Sequence, residues 1–230
     1  MDRFEYKYRI ESLQAQKLEE LLESICITDS HGNDGQYDVL SCYLDSSRLD
    51  AFYENIEGQA YRKKMRVRSY GGQFENVYYE IKQRFNQRVI KKRLPCAVEN
   101  IEAFLEVADC PFSKVQEKLW YCEMQLMSQR LKHQPIVYTR YRRKAFLYEG
   151  VQPLRFTIDY QVQGAKAEKM NFSDDVQMDM IDLLPPDQAI FEVKGTKTLP
   201  KWFVALVKGL ELRKGRYSKF SEAVKKCVLT

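Results

Sequence analysis

Hydrophobic and polar residues alternate with a period of two through several stretches of the chain, and in most of them the polar member is charged. Between Tyr61 and Pro95 the alternation predicts three antiparallel strands. The first, Lys64–Tyr70, stops at Gly71-Gly72; the second, Val77–Phe85, turns at Asn86-Gln87 into the third, Arg88–Leu94. A two-residue loop there sets Lys82 opposite Lys91 and Glu80 opposite Arg93. One face then carries Arg66, Arg68, Glu80, Lys82, Lys91 and Arg93, and the other Met65, Val67, Tyr79, Ile81, Ile90 and Leu94. A charged strand face is ordinarily the solvated one. Its recurrence on other strands argues for more than solvation.

The same alternation predicts a strand at Arg3–Ile10, with Glu5 and Lys7 opposite Phe4, Tyr6 and Tyr8. It predicts others at Asp38–Leu44, Ile136–Leu147, Leu154–Val162 and Ala189–Lys194. Tyr138, Arg140 and Arg142 fall on one side of the long fourth stretch; Arg155, Thr157 and Asp159 share a face, as do Glu192 and Lys194. Helical spacing separates these strands. Ser12 is read as the cap of a helix striped by Leu18, Leu21, Leu22 and Ile25, and Asp45 or Ser46 as the cap of one burying Leu49, Phe52, Tyr53 and Ile56. Two helices follow Pro95, one with Val98, Ile101, Leu105 and Ala108, the next starting near Ser113 with Val115, Leu119, Cys122 and Leu126 inward. Pro200 opens a helix with Trp202, Phe203, Leu206 and Leu210, interrupted at Gly215, and Ser218-Lys219 starts a last short one. The stretch 164–187 is the least regular, with a strand near Val176–Met180.

At 230 residues, without internal repeats or linkers, the chain is expected to form one domain, 1–230. Its 44% hydrophobic and 30% charged content is that of a soluble globular protein, and no apolar run approaches a membrane span. Six cysteines without C-x-x-C spacing read as reduced core thiols, and the two histidines, His31 and His133, as surface residues, which together suit a cytoplasmic protein. The net charge of +5 is modest, so the placement of cations matters more than their number.

About eight mainly antiparallel strands can close into a barrel, giving an α+β fold. Helices with apolar stripes must cover something. If they cover an apolar outer wall, the charges line the lumen. Cations so confined repel one another unless a polyanion sits among them, and a minority of carboxylates there suits a hard divalent cation. There is no P-loop spacing, no Ser/His/Asp arrangement, and the aromatics alternate away from the cations, which disfavours nucleic acid.

In order, Arg3-Phe4-Glu5-Tyr6-Lys7-Tyr8, Lys64-Met65-Arg66-Val67-Arg68-Ser69-Tyr70-Gly71, Glu80-Ile81-Lys82, Lys91-Lys92-Arg93, Tyr138-Thr139-Arg140, Arg155-Phe156-Thr157-Ile158-Asp159, Glu192-Val193-Lys194 and Tyr217-Ser218-Lys219-Phe220 resemble the VTC domain. This is the catalytic domain of the vacuolar transporter chaperone, among the triphosphate tunnel metalloenzymes. The resemblance implies an eight-stranded antiparallel tunnel with helices outside, and ATP-dependent polyphosphate synthesis with Mn²⁺ or Mg²⁺. Carried over, Lys7, Arg66, Arg68, Lys82, Lys91, Arg140 and Arg155 would grip phosphates. Tyr138, Arg93, Lys194, Ser218 and Lys219 would add substrate contacts, and Glu192, with Glu5 and Glu80, would hold the metal. Arg3 stands where the related CYTH branch has the first acid of E-x-E-x-K, which favours the VTC-like branch. Neither the SPX domain nor the membrane helices of the fungal proteins are present in the sequence, so a free-standing form is expected. A tripolyphosphate or nucleoside triphosphate hydrolase and a non-catalytic polyanion binder are the competing readings.

Overall fold

The computed structural model describes residues 3–29, 34–71, 77–86, 88–96, 109–172, 179–196 and 198–230. The helix expected at Val98–Ala108 lies outside them, as do His31 and most of the expected Val176–Met180 strand. Eleven strands and five helices occur among the described residues. Eight strands are nine residues or longer and three are two-residue pieces. The strand pairs described below all run antiparallel, and the fold is α+β. Among the described residues no helix is long and apolar enough to cross a membrane.

The chain divides into two compact units. The first comprises residues 1–38, 140–163 and 182–218. It holds β1 (Arg3–Glu11), α1 (Ser12–Ile25), β2 (Ile27–Thr28), β9 (Ile181–Asp182, at its edge), β10 (Gln188–Thr196), α4 (Lys201–Gly209), β11 (Lys214–Gly215), and most of β7 (Gln134–Tyr148) and β8 (Leu154–Lys166). Its strand order is β11-β1-β10-β8-β7. Tyr8, Ile10, Phe156, Ile158, Phe191 and Val193 project to one face and pack with Leu18 and Leu22 of α1 and Phe203 of α4. Phe156, Phe191 and Phe203 form an aromatic cluster at centroid distances of 5.4–6.2 Å. The α1 cap differs from expectation. Glu11 is the cap residue, its N–H donating to Gln14 Oε1 at 3.0 Å, while the Ser12 hydroxyl donates to the Asp187 carbonyl.

The second unit comprises residues 39–139, 164–181 and 219–230. It contains most of β3 (Gln36–Asp45), α2 (Asp50–Ile56), β4 (Tyr61–Tyr70), β5 (Val77–Phe85), β6 (Arg88–Cys96), α3 (Val115–Arg130) and α5 (Lys219–Cys227), with β3-β4-β5-β6 in that order. Leu40, Cys42, Met65, Val67, Tyr79, Ile81 and Leu94 pack with Tyr121 and Met124 of α3. The stripe expected to face inward on α3 is wrong: Val115, Leu119 and Leu126 are 61–73% exposed. The opposite face, with Tyr121, Met124 and the partly buried Trp120 and Met127, offers more contact area and takes the core position. Tyr53 and Ile56 of α2 are likewise exposed, while Leu49 and Phe52 are buried. The N-cap position of α2 is Leu49, neither Asp45 nor Ser46, but the buried Asp45 carboxylate accepts the N–H groups of Ser46, Ala51 and Phe52 at 2.8–3.0 Å and so satisfies two donors of the first turn. Leu49 reaches the helix through φ 60°. His133 is buried, contrary to the surface reading. The helix from Pro200 ends at Gly209, and Gly215 belongs to β11, paired with β1.

Candidate functional site

In the second unit the hairpin register is the one expected from the alternation. Phe85 pairs with Arg88, Lys82 with Lys91 and Glu80 with Arg93. Because helix α3 covers one face, the polar residues stand in cross-strand rows on the other. Tyr43, Arg66, Glu80 and Arg93 form one row; Ser41, Arg68 and Tyr78 form the next; Lys64, Lys82 and Lys91 form a third. Lys92 points the other way and ion-pairs with Glu123 of α3, so Lys91, not Lys92, belongs to the polar face. Directly opposed like charges destabilise a sheet, so the lysine row is a cost borne by the rest of the fold.

Glu80 is the hub of this face. It contacts Arg66 at 2.6–2.7 Å, Arg93 at 3.5 Å and Arg68 at 4.0 Å. Burial pushes its carboxyl up, but the three guanidiniums outweigh that and bring it down to about 2. Three guanidiniums share this carboxylate, which stands as their internal counter-ion. Arg68, buried, donates to the Ser41 hydroxyl at 2.8 Å, and Arg66 donates to the Tyr43 hydroxyl at 3.1 Å. Burial raises the Tyr43 phenol, yet Arg66, Arg68 and Lys64 carry it down to about 7. Tyr43 stacks on Phe220 of α5 at 4.9 Å, which ties that helix, beginning at Lys219, to this face.

Tyr138 does not join these cations. It lies in the apolar cluster with Cys42 and Tyr121, its hydroxyl donating to the Lys169 carbonyl at 2.7 Å and accepting the Asn171 N–H.

In the first unit, β1, β10 and β8 align Glu5 with Lys194 and Arg155, and Lys7 with Glu192 and Thr157. The buried Glu192 carboxylate ion-pairs with Lys194 and lies 3.8 Å from Lys7, which is 3.7 Å from Glu5. Burial opposes its ionisation; Lys194, Lys7 and Arg143 outweigh that and hold it well below the usual carboxylate range. Lys7 also donates to the Tyr217 carbonyl at 3.2 Å, beside Ser218. Arg155 donates to Asp29 at 2.9 Å and to the Tyr37 hydroxyl at 3.3 Å.

Arg140 falls on the wrong side of β7. Lys144 reaches Glu19 of α1 and Phe146 packs with Leu18 and Leu22, so the even-numbered residues face the helices. Arg140 and Arg142 share that side and ion-pair with Asp38 at 3.3 and 3.7 Å. The odd-numbered residues face the polar side. Arg143 makes a two-point pair with Asp159 at 2.7 and 2.8 Å, and its guanidinium lies 5.1 Å from the Tyr141 ring. Burial works against the Arg143 cation, but Asp159, Tyr141 and Glu192 hold it charged. The Tyr-x-Arg spacing occurs twice, at 138–140 and 141–143. An offset of three residues reverses strand parity, and the second copy is the one on the polar face.

This α+β fold of antiparallel strands with helices on one face is also that of several solved structures. A candidate adenylate cyclase from Bacillus halodurans shares it with a TM-score of 0.51 at 11% identity, over 95% of this chain and 96% of its own. A Pyrococcus horikoshii protein matches with a TM-score of 0.50 at 11% identity, over 98% and 99%. A candidate adenylyl cyclase from Hippeastrum, described as having a dominant triphosphatase activity, matches with 0.50 at 13% identity, over 99% and 97%. These likenesses concern the fold alone. No curated protein matches the chain by sequence. The model of the VTC domain matches residues 2–228, and the chain belongs to the VTC domain family.

Proposed function

We propose that the chain is a polyphosphate polymerase that moves the γ-phosphate of ATP onto a growing polyphosphate chain, with its strands closed into a basic tunnel. The observation that carries this reading is the set of cross-strand cation rows, each opposite a helix-covered apolar face. Arg66, Arg68, Lys82, Lys91 and Arg93 in the second unit, and Lys7, Arg155 and Lys194 in the first, grip phosphate oxygens and neutralise the charge that builds on them. Ser218 and Lys219 add contacts where the last helix begins. Arg143 keeps Asp159 neutralised and takes the place foreseen for Arg140.

The reaction needs position more than a protein nucleophile. The terminal phosphate of the polymer is already anionic. Held in line by the cations, it attacks the γ-phosphorus, the bond to the β-bridging oxygen breaks, and ADP leaves. Tyr43, with its lowered phenol pKa, sits within hydrogen-bond reach of Arg66 and can hold or release a proton there.

Among the described residues no three carboxylate, imidazole or thiolate side chains cluster as a ready metal site. The donors present fit a hard divalent cation completed by phosphate oxygens: Glu192 is buried and ionised, and Glu5 reaches the same lysine. When bound, Mn²⁺ or Mg²⁺ would supply charge neutralisation on the phosphates.

Incubation with ATP and Mn²⁺, followed by a gel stained for polyphosphate, tests the proposal. Long polymer is expected. Free phosphate without polymer would replace it with the second reading, a triphosphate hydrolase, favoured by the triphosphatase activity described for the Hippeastrum relative.

A further inference from the structure

We propose that the tip of the β5–β6 hairpin is a docking surface for an anionic lipid bilayer. Residues 82–93, KQRFNQRVIKKR, contain six cations and no acid. Phe85 and Ile90 are 61% and 54% exposed, and Val89 and Tyr61 44% each. Single exposed apolar residues are ordinary; Phe85, Ile90 and Tyr61 share one face of the sheet beside the turn and form a patch, while Val89 stands opposite Arg84 on the other face.

The register shows why they are not core residues that lost a partner. Tyr61 pairs with Phe85, and Ile90 with Gln83, on the same side as Met65, Ile81 and Leu94. That side is covered by α3 as far as Lys92, which ion-pairs with Glu123. Phe85, Ile90 and Tyr61 continue the apolar face past the end of this cover. They also point away from the face that holds Lys82 and Lys91, so they do not serve the phosphate rows.

The arrangement of charge selects the occupant. Arg84 and Arg88 flank the tip, Arg88 opposite Phe85 and Arg84 opposite Val89, and the phosphate-row lysines Lys82 and Lys91 stand two pairs further back than Arg84. Arg84 folds onto the Asn86 carbonyl at 2.7 Å, which keeps its guanidinium at the turn. Acids close to this face are already engaged: Glu54 lies 3.9 Å from Lys63, Glu57 accepts from Gln59, and Glu123 pairs with Lys92. An apolar tip with long cationic side chains behind it matches the depth order of a bilayer: acyl region first, anionic headgroups next. The rings of Phe85 and Tyr61 already lie against each other at 6.5 Å, and the aliphatic Ile90 on the same face suits acyl chains better than the bases of a nucleic acid.

The test is co-sedimentation with vesicles of two parts phosphatidylcholine to one part phosphatidylserine, at about 0.15 M salt. The protein is expected to bind these and not pure phosphatidylcholine vesicles. The Phe85→Ser/Ile90→Ser variant should lose at least about tenfold in binding. Arg84→Gln/Arg88→Gln should lose roughly fivefold per charge. Both variants should keep the wild-type circular dichroism and melting temperature, since neither residue pair is in the core. Absence of binding to the anionic vesicles, or equal binding by the variants, would overturn the proposal. So would a wild-type dimer that Phe85→Ser/Ile90→Ser converts to monomer, because the patch would then belong to a second copy.

Discussion

Replacing Glu80 by Gln isolates the electrostatics of the polar face, because the amide keeps the shape and an acceptor oxygen but removes the charge that Arg66, Arg68 and Arg93 share. The folded carboxyl at about 2, against an ordinary value of 4.5, corresponds to about 3 kcal/mol of stability at neutral pH. The sign follows from the lowered value. This stabilisation is fully present above pH 4.5 and is lost as pH falls through about 2. Glu80→Gln lacks it at every pH, so the wild-type advantage should shrink in acid. For a chain of 230 residues, about 3 kcal/mol lowers the melting temperature by roughly 6–12 °C. Tripolyphosphate should restore more of that in the variant than it adds to the wild type, since it replaces the missing negative charge. Differential scanning calorimetry with and without tripolyphosphate reads both effects. Equal melting temperatures at pH 7, or equal gains from tripolyphosphate, would refute the counter-ion role.

Four further outcomes follow from the geometry. Arg66→Ala, Arg68→Ala or Arg155→Ala should reduce polymer formation roughly 10- to 150-fold through loss of one charge-assisted contact, with the fold intact by circular dichroism; unchanged turnover would remove that residue from the site. Glu192→Gln should abolish activation by Mn²⁺, and a normal manganese titration would contradict its assignment. Arg140→Ala should leave turnover within about twofold, whereas Arg143→Ala should cost about 3–5 kcal/mol in urea unfolding by leaving the buried Asp159 unpaired; the reverse ranking would undo the β7 parity. Burial, aided by Lys63, lowers the His133 imidazole from 6.5 to about 4. Its contribution, up to about 3 kcal/mol, should therefore disappear as pH falls from 6.5 towards 4, and His133→Gln should flatten the melting temperature over that range.

The strands and the cation rows of β4 to β6 were legible in the sequence because a two-residue loop fixes register, and register fixes which side of a sheet each residue takes. The choice of Lys91 over Lys92 follows from that alone. On β7 the same reasoning fails for a specific cause. Tyr-x-Arg occurs at 138–140 and again at 141–143, and both stretches alternate equally well. Only the contacts of Lys144 and Phe146 with α1 settle which copy faces the polar side. Helix α3 misleads for a related reason: it is apolar on two sides, and the aliphatic stripe of Val115, Leu119 and Leu126 loses to the larger side chains of Tyr121 and Met124. The burial of His133 has no local signal, and the charges that act on its imidazole, Lys63 and Asp50, are distant in sequence.

Calorimetric titration of tripolyphosphate into the protein, at low and at physiological salt, asks most directly whether the strand cations form a polyphosphate-binding surface. Tight binding that weakens steeply with salt, and that Arg66→Ala diminishes, is the predicted result. No heat of binding, or affinity indifferent to both salt and Arg66→Ala, would contradict it.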